Sequence, residues 1–440
     1  MSKTVTYLQS LPSVRQRAKL LLDNPDCLQN FDVDLSKLPE VADFICKLVK
    51  RDYQSLDDIP PHSRWRHFEA STNKTVVDRI SPLLLIWKSD QVDLKESVRR
   101  LLDLFVTSVL LDAGAGAKWV YRPPSEPGLV YNRSEGLGIA SLDLFLSGAL
   151  SSNKEIPHQC DAKGLSDLTT EQLASVFQVS EENPLVGLEG RCALLQRLGK
   201  VVVDHPEFFK GSDGSSRPGN LLDYLLSHET TTETNGKYHV NIETLWTVVI
   251  KGFSGVWPAT RTIFEGVSLG DVWPSAAMTA ISKLDSKPTK DYPGSESFVC
   301  FHKLSQWLTY SLMEPLARAN IVFTGVENMT GLAEYRNGGL FVDMNVITLK
   351  PHVLNAVPSN TIPRYQVYDD VVIEWRALTV ALLDQVAILV RKQLGMTEIQ
   401  LPLAKVLEAG TWKAGREIAA KLRPDTKGPP IEVISDGTVF

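Results

Sequence analysis

The sequence predicts a mainly α-helical fold with a few short β-strands. Apolar residues recur at three- and four-residue spacing in segment after segment, whereas strand-like alternation is brief and rare. No internal repeat or low-complexity block interrupts the pattern. At 440 residues, with 43% hydrophobic and 22% charged side chains, the chain is long enough for a large core.

In chain order, Val41, Phe44, Ile45, Leu48 and Val49 share one face of a segment opened by Pro39. Leu94, Val98, Leu101, Leu102 and Phe105 mark a helix that runs to Asp112 and stops at a glycine-rich turn. Thr169 or Thr170 can cap a helix carrying Leu173, Val176 and Phe177. Gly187 to Val203 holds Leu188, Cys192, Leu195 and Leu198 at helical spacing, and Pro218 opens a helix through Leu225. Phe298 to Ala317 and Trp375 to Leu394 read as the two longest apolar-faced helices. Leu403 to Leu422 follows, broken near Gly410. Strand signals fall at Lys237 to Ile242, Gly339 to Ile347 and Ile431 to Val439. Pro123 to Pro127, Lys210 to Arg217 and Ser282 to Ser297 look like linkers. The expected partition is an N-terminal helical part over 1–130, a core over 131–350, and C-terminal helices with a docked tail over 351–440, all within one unit.

Composition narrows the function. A net charge of −6 leaves no whole-chain footprint for nucleic acid. Five scattered cysteines, with no Cys-x-x-Cys pair, fit a reducing compartment without a disulfide frame or thiolate metal site. No apolar run reaches transmembrane length, and Met-Ser-Lys-Thr-Val-Thr-Tyr lacks a signal-peptide core. The expectation is a cytoplasmic protein with neither membrane nor nucleic-acid partners.

The richest stretch for chemistry is Gly325 to Ile347, where Glu334, Tyr335 and Arg336 stand between apolar flanks. Charges between core segments are either paired for structure or placed for chemistry, because leaving them unpaired is costly. Upstream, Lys303 and Gln306 share a helical face within Phe301-His302-Lys303-Leu304-Ser305-Gln306. Asp112-Ala-Gly-Ala-Gly-Ala-Lys118-Trp119 fits neither nucleotide-loop pattern. It is open between a glycine helix stop and an anion-binding turn. The eight histidines include no His-x-x-x-His pair, Gly-x-Ser-x-Gly is absent, and Ser151-Ser-Asn-Lys154 lacks companion motifs. No metal and no organic cofactor is expected. Glu374 and Arg376 read as a dipole-complementing acid with its paired arginine, or as support for a site.

Across Leu111-Asp-Ala-Gly-Ala-Gly-Ala-Lys-Trp-Val-Tyr, Glu334-Tyr-Arg-Asn-Gly-Gly-Leu and Ser435-Asp-Gly-Thr-Val-Phe, the chain resembles the uracil catabolism protein 4 family over essentially its whole length. That resemblance implies a part in a pyrimidine-breakdown route that acts on a ribosylated pyrimidine and frees urea. From about Leu142 to Val346 the chain is also similar, more weakly, to the queuosine 5′-phosphate N-glycosylase family, whose fold resembles the helical DNA glycosylases. The shared signals, in order, are Leu168 to Phe177, Pro184 to Leu195, the Phe301, Lys303 and Gln306 pattern, and the acid-Tyr-Arg triplet at Glu334. The relatives' triplet opens with a catalytic-looking aspartate, where this chain has glutamate.

These resemblances imply a DNA-glycosylase-like helical core and an N-glycosidase-type hydrolase. Its substrate would be a ribosylurea-like nucleoside or its 5′-phosphate. Glu334 is the leading catalytic carboxylate and Asp343 the reserve. Lys303, Gln306, Tyr335, Arg336, Trp119, Lys118 and Asp112 are the candidate substrate contacts. The alternative is a non-catalytic channelling or regulatory partner of a GTP-cyclohydrolase-II-like enzyme.

Overall fold

The computed structural model describes residues 2–70, 77–257, 261–284, 287–356 and 361–434. The expected docking of Ser435 to Phe440 therefore lies outside the described residues. The fold is mainly helical with short strands, as the periodicity predicts. Two compact units make it up. One comprises Met1–His62, Ala259–Gln306 and Glu327–Phe440, and the other Ser63–Pro258 and Trp307–Val326.

The first unit is built around helix Asp370–Leu394, whose residues from Val371 through Leu383 are all buried. A helix apolar all round must be wrapped by others. Leu11–Asp23, Leu38–Asp52 and Tyr335–Asp343 pack on it. Pro39 stands in the first turn of Leu38–Asp52, as anticipated. Glu374 does not pair with Arg376. Residues two apart on a helix point to different sides. The Glu374 carboxylate instead accepts the amides of Gln29 (2.8 Å), Asn30 (2.9 Å) and Phe31 (2.8 Å). Those amides lead into strand Phe31–Val33, antiparallel to Ile347–Leu349. A second hairpin-like pair joins Val272–Pro274 to Phe298–Cys300, and Arg364–Gln366 runs parallel to Glu432–Ile434.

Two expectations are corrected here. Residues from Gly339 do not form a strand: Tyr335–Asp343 is a helix, and only Ile347–Leu349 is extended. Gly338 explains the choice. A Cβ there would lie 2.7 Å from Trp375 Nε1 and 2.8 Å from Thr379 Oγ1, so the bare glycine lets this helix press against Asp370–Leu394. Packing outweighs glycine's poor helix propensity. The helix expected from Phe298 starts only at Lys303, because Phe298–Cys300 is spent on its strand partner. The break near Gly410 is a wide turn over Leu407–Thr411, where a Cβ on Gly410 would sit 2.6 Å from Ile45 Cγ2.

The second unit centres on Leu94–Leu110, buried without interruption from Leu101 to Leu110. Arg133–Leu146 and Leu188–Asp204 pack beside it. Thr169 caps its helix through a reciprocal box with Gln172. A three-stranded sheet places Lys237–Asn241 between Thr232–Thr234 (antiparallel) and Ile321–Thr324 (parallel). The Lys210–Arg217 stretch is no loose linker. Arg217 is buried and reaches Asp103 (2.8 Å) and Glu96 (2.9 Å), while Asp103 also accepts the amide of Gly219 (2.6 Å).

Candidate functional site

Glu334 is the N-cap of helix Tyr335–Asp343. Its backbone is extended, and its two carboxylate oxygens accept the amides of Arg336 (2.7 Å) and Asn337 (2.5 Å). An acid suits a helix N-terminus because unpaired amides and the helix dipole point at it. This acid is nevertheless buried, only 8% exposed. Burial pushes its carboxyl above the usual range, against the pull of those two amides and of the Lys303 and Arg336 charges. The result is a carboxyl group that changes protonation closer to neutral pH than a surface glutamate does.

Lys303, half-buried, opens its own helix on a turn fixed from two sides. Its amide donates to Asp271 Oδ2 (3.1 Å). Both Asp271 oxygens receive the Arg376 guanidinium at 2.8 and 2.7 Å, and Oδ1 also takes the Trp273 indole N–H at 2.7 Å. Burial opposes ionisation of Asp271, yet Arg376 with the Trp273 and Lys303 N–H donors holds its carboxyl down to about 2. The guanidinium of Arg376 lies over the Phe301 ring at 4.0 Å, and its Nε donates to the Ala333 carbonyl at 3.3 Å. One arginine thus touches both the turn before Lys303 and the residue before Glu334.

Gln306 works in the same place. Its amide donates to Thr330 Oγ1 (2.7 Å) and the Phe301 carbonyl (3.1 Å), and its oxygen accepts the Thr330 amide (2.9 Å). The sequence offered Gln306 as a substrate contact, and here its amide ties the helix to the segment leading into Glu334. Arg336 donates to the Lys427 carbonyl (2.9 Å) and stacks over Tyr335 at 5.0 Å. Asp343 ends the helix that Glu334 caps, nine residues on, so the two backbones lie about 13–14 Å apart along its axis. Asp343 is held at both oxygens by Arg423. A Cβ on Gly415 would collide with the Arg336 carbonyl. With Arg336 beside Gly415 and Asp343 beside Arg423, helices Tyr335–Asp343 and Trp412–Leu422 run side by side in one direction.

The remaining candidates belong to the second unit. Asp112 receives the buried Arg64 guanidinium (2.5 Å). Arg191 donates to the carbonyls of Leu111 (3.0 Å), Ala113 (2.7 Å) and Gly114 (3.2 Å), so carbonyls of this turn serve an arginine. Trp119 is a core side chain, its indole N–H on the Phe177 carbonyl (2.9 Å) and its ring beside Tyr121 and Phe177. Lys118 is exposed.

The sequence singled out Glu334 and Lys303 as candidates and gave no sign of Asp271. It noticed Arg376 without its partner. The one available signal was a buried-looking arginine on an apolar helix, which demands an acid from elsewhere. Among the described residues, no three His, Cys, Asp or Glu side chains cluster as a metal would require, and no helix is long and apolar enough to cross a membrane.

A mainly helical protein with a buried, helix-capping acid is the class that these observations define. The chain belongs to the family described as "Protein of unknown function (DUF1688)", whose model matches residues 7–440. It is 42% identical over 456 residues to a Lachancea kluyveri protein named Uracil catabolism protein 4, covering 99% of each chain. It is 41% identical over 445 residues to Protein urg3 of Schizosaccharomyces pombe, covering 100% of each. The family resemblance seen in the sequence therefore holds along its whole length.

Proposed function

We propose that this protein takes part in uracil catabolism as an N-glycosidase-type hydrolase, cleaving a ribosylurea-like nucleoside or its 5′-phosphate to urea and the sugar. The name of the Lachancea kluyveri relative supports the pathway. The reaction rests on one observation: Glu334 is a buried, helix-capping carboxyl with a raised proton affinity, on which the Lys303 charge acts.

Such a group suits both halves of the reaction. As the C1′–N bond breaks, its electron pair passes to the urea nitrogen, which takes a proton from Glu334. Positive charge meanwhile grows on the sugar. Water then adds at C1′, its proton returns to Glu334, and one water is consumed per urea released. Burial raises the carboxyl's proton affinity for the first half, and the helix amides with Lys303 keep its ionised form accessible for the second. Lys303 and Arg336 supply positive charge for a 5′-phosphate, with Tyr335 beside them.

The test uses synthetic ribosylurea and its 5′-phosphate with the purified protein, following urea. Glu334→Gln should retain the fold and lose on the order of 10²–10⁴ in rate. Lys303→Met should lose more with the phosphorylated substrate than with the free one. No urea from either compound with the wild-type protein, or an unchanged rate in Glu334→Gln, sinks the reading.

A further inference from the structure

We infer that Asp271 and Arg376 are positioning residues for Glu334: their paired side chains lock the turn before Lys303 to the turn before Glu334 and so set the ammonium's distance from the carboxyl. The inference rests on the proposed role of Glu334 and extends it to two residues from other segments. Asp271 lies just ahead of strand Val272–Pro274, and Arg376 lies on helix Asp370–Leu394.

The geometry runs through both partners. Asp271 holds the first amide of the Lys303 helix at 3.1 Å, and Arg376 holds the Ala333 carbonyl at 3.3 Å. Between them is a two-pronged bond at 2.8 and 2.7 Å, which a planar guanidinium makes and a lysine ammonium does not. The two-pronged bond fixes the mutual orientation of its partners, and each partner in turn holds one of the two turns.

A separate observation points to the same turn. His302 has φ +46°, in the left-handed region that non-glycine residues seldom enter. The Asp271 carbonyl accepts the amides of Phe301 (3.0 Å) and His302 (3.3 Å), while His302 Nε2 meets the Leu8 carbonyl at 2.8 Å. Unfavourable backbone persists only where its surroundings over-determine it, and it gathers at functional sites. Here it directs the chain so that Lys303 begins its helix on Asp271.

Among the described residues, the Lys303 charge acts on Glu334 from the neighbouring helix and that of Arg336 from its own. Helix Asp370–Leu394 presents Arg376, committed to Asp271, and Glu374, bound to the Gln29–Phe31 amides. On the Trp412–Leu422 side, Arg416 stacks on Trp412, and Arg423 pairs with Asp343. Moving Lys303 away therefore removes a cation that acts on Glu334.

The experiment titrates the Glu334 carboxyl by carbon-13 NMR in the full chain, its signal assigned by its loss in Glu334→Gln. Arg376→Lys and Asp271→Glu, which keep every charge and change only the geometry of the pair, should each shift the Glu334 midpoint to higher pH, in the direction that Lys303→Met shifts it. Arg376→Lys placed in the Lys303→Met background should add no further shift, because its effect passes through Lys303. Asp271→Glu keeps the opposite charges and displaces only the turn, so it reports even if Arg376→Lys unfolds. An unmoved midpoint in the folded variants overturns the inference. So does an undiminished shift in the Lys303→Met background. Absence of urea release by the wild type would instead refute the hydrolase reading and leave this titration to stand or fall separately.

Discussion

Replacing Glu374 by glutamine probes how a fully buried acid can be costly in itself and still indispensable. Its carboxylate receives four donors: the amides of Gln29, Asn30 and Phe31, and the Asn30 side-chain N–H at 3.2 Å. Burial pushes its carboxyl above the ordinary 4.5, so desolvation outweighs what those amides return to the charge. Glutamine keeps one acceptor oxygen, enough for the Asn30 and Phe31 amides. It turns an NH₂ group toward the Gln29 amide and the Asn30 side chain. Both of those donors are only part-buried, and the Asn30 side chain also donates to Asp370 at 3.0 Å, so each lost bond costs about 1–2 kcal/mol. Relief of the buried charge offsets part of that, which leaves a net loss of about 1–2 kcal/mol.

Urea denaturation at constant m-value measures that loss, and amide exchange should quicken at Gln29 before Phe31. The pH dependence has a definite sign. A carboxyl whose folded value is raised contributes stability that is present below about 4.5 and lost as pH climbs through the raised value. The gap between wild type and Glu374→Gln should therefore be widest near pH 4 and narrow toward neutrality. A loss below about 0.5 kcal/mol, or unchanged exchange at residues 29–31, would refute the reasoning, since a satisfied buried acceptor cannot be removed so cheaply.

Three further outcomes follow from the same structure. Gly338→Ala should lower the melting temperature by an amount equivalent to about 1–3 kcal/mol, because the new methyl meets Trp375 and Thr379; a gain in stability would show that those side chains yield. Asp271, held down to about 2 from an ordinary 3.8, contributes about 2 kcal/mol that is present above pH 3.8 and lost as pH falls toward 2. Acid-unfolding curves should show that slope in the wild type and lose it in Asp271→Asn. Thr169→Ala breaks one half of a reciprocal cap and should cost about 1 kcal/mol by chemical denaturation; an unchanged midpoint would mean that water replaces the cap.

Much of the helical layout was legible in the sequence. The Leu38–Asp52 and Leu94–Leu110 helices, the Thr169 cap and the break near Gly410 all depend on spacing and capping within a few residues. Glu334 and Lys303 could be singled out as a pair because they recur in a recognisable order. The misread segments are those whose partners lie far along the chain. Gly339 to Ile347 is apolar enough to suggest a strand, and the close approach of Gly338 to Trp375 and Thr379 packs its first part as a helix. Phe298 joined the wrong element because its strand partner, Pro274, is supplied from elsewhere.

The sequence by itself determined a mainly helical protein and one uncommon acid set between core segments. Both follow from local periodicity, and from side-chain chemistry that needs no neighbour to define it. The tertiary structure alone decided what those charges do. It gave Arg376 to Asp271 and Glu374 to the amides of residues 29–31, and it spent the Gln306 amide on Thr330. The physical reason is that burial drives most polar groups to find a partner, and that partner is fixed by proximity in space. Glu334 was visible as a residue. Its raised proton affinity came only from the packing around it.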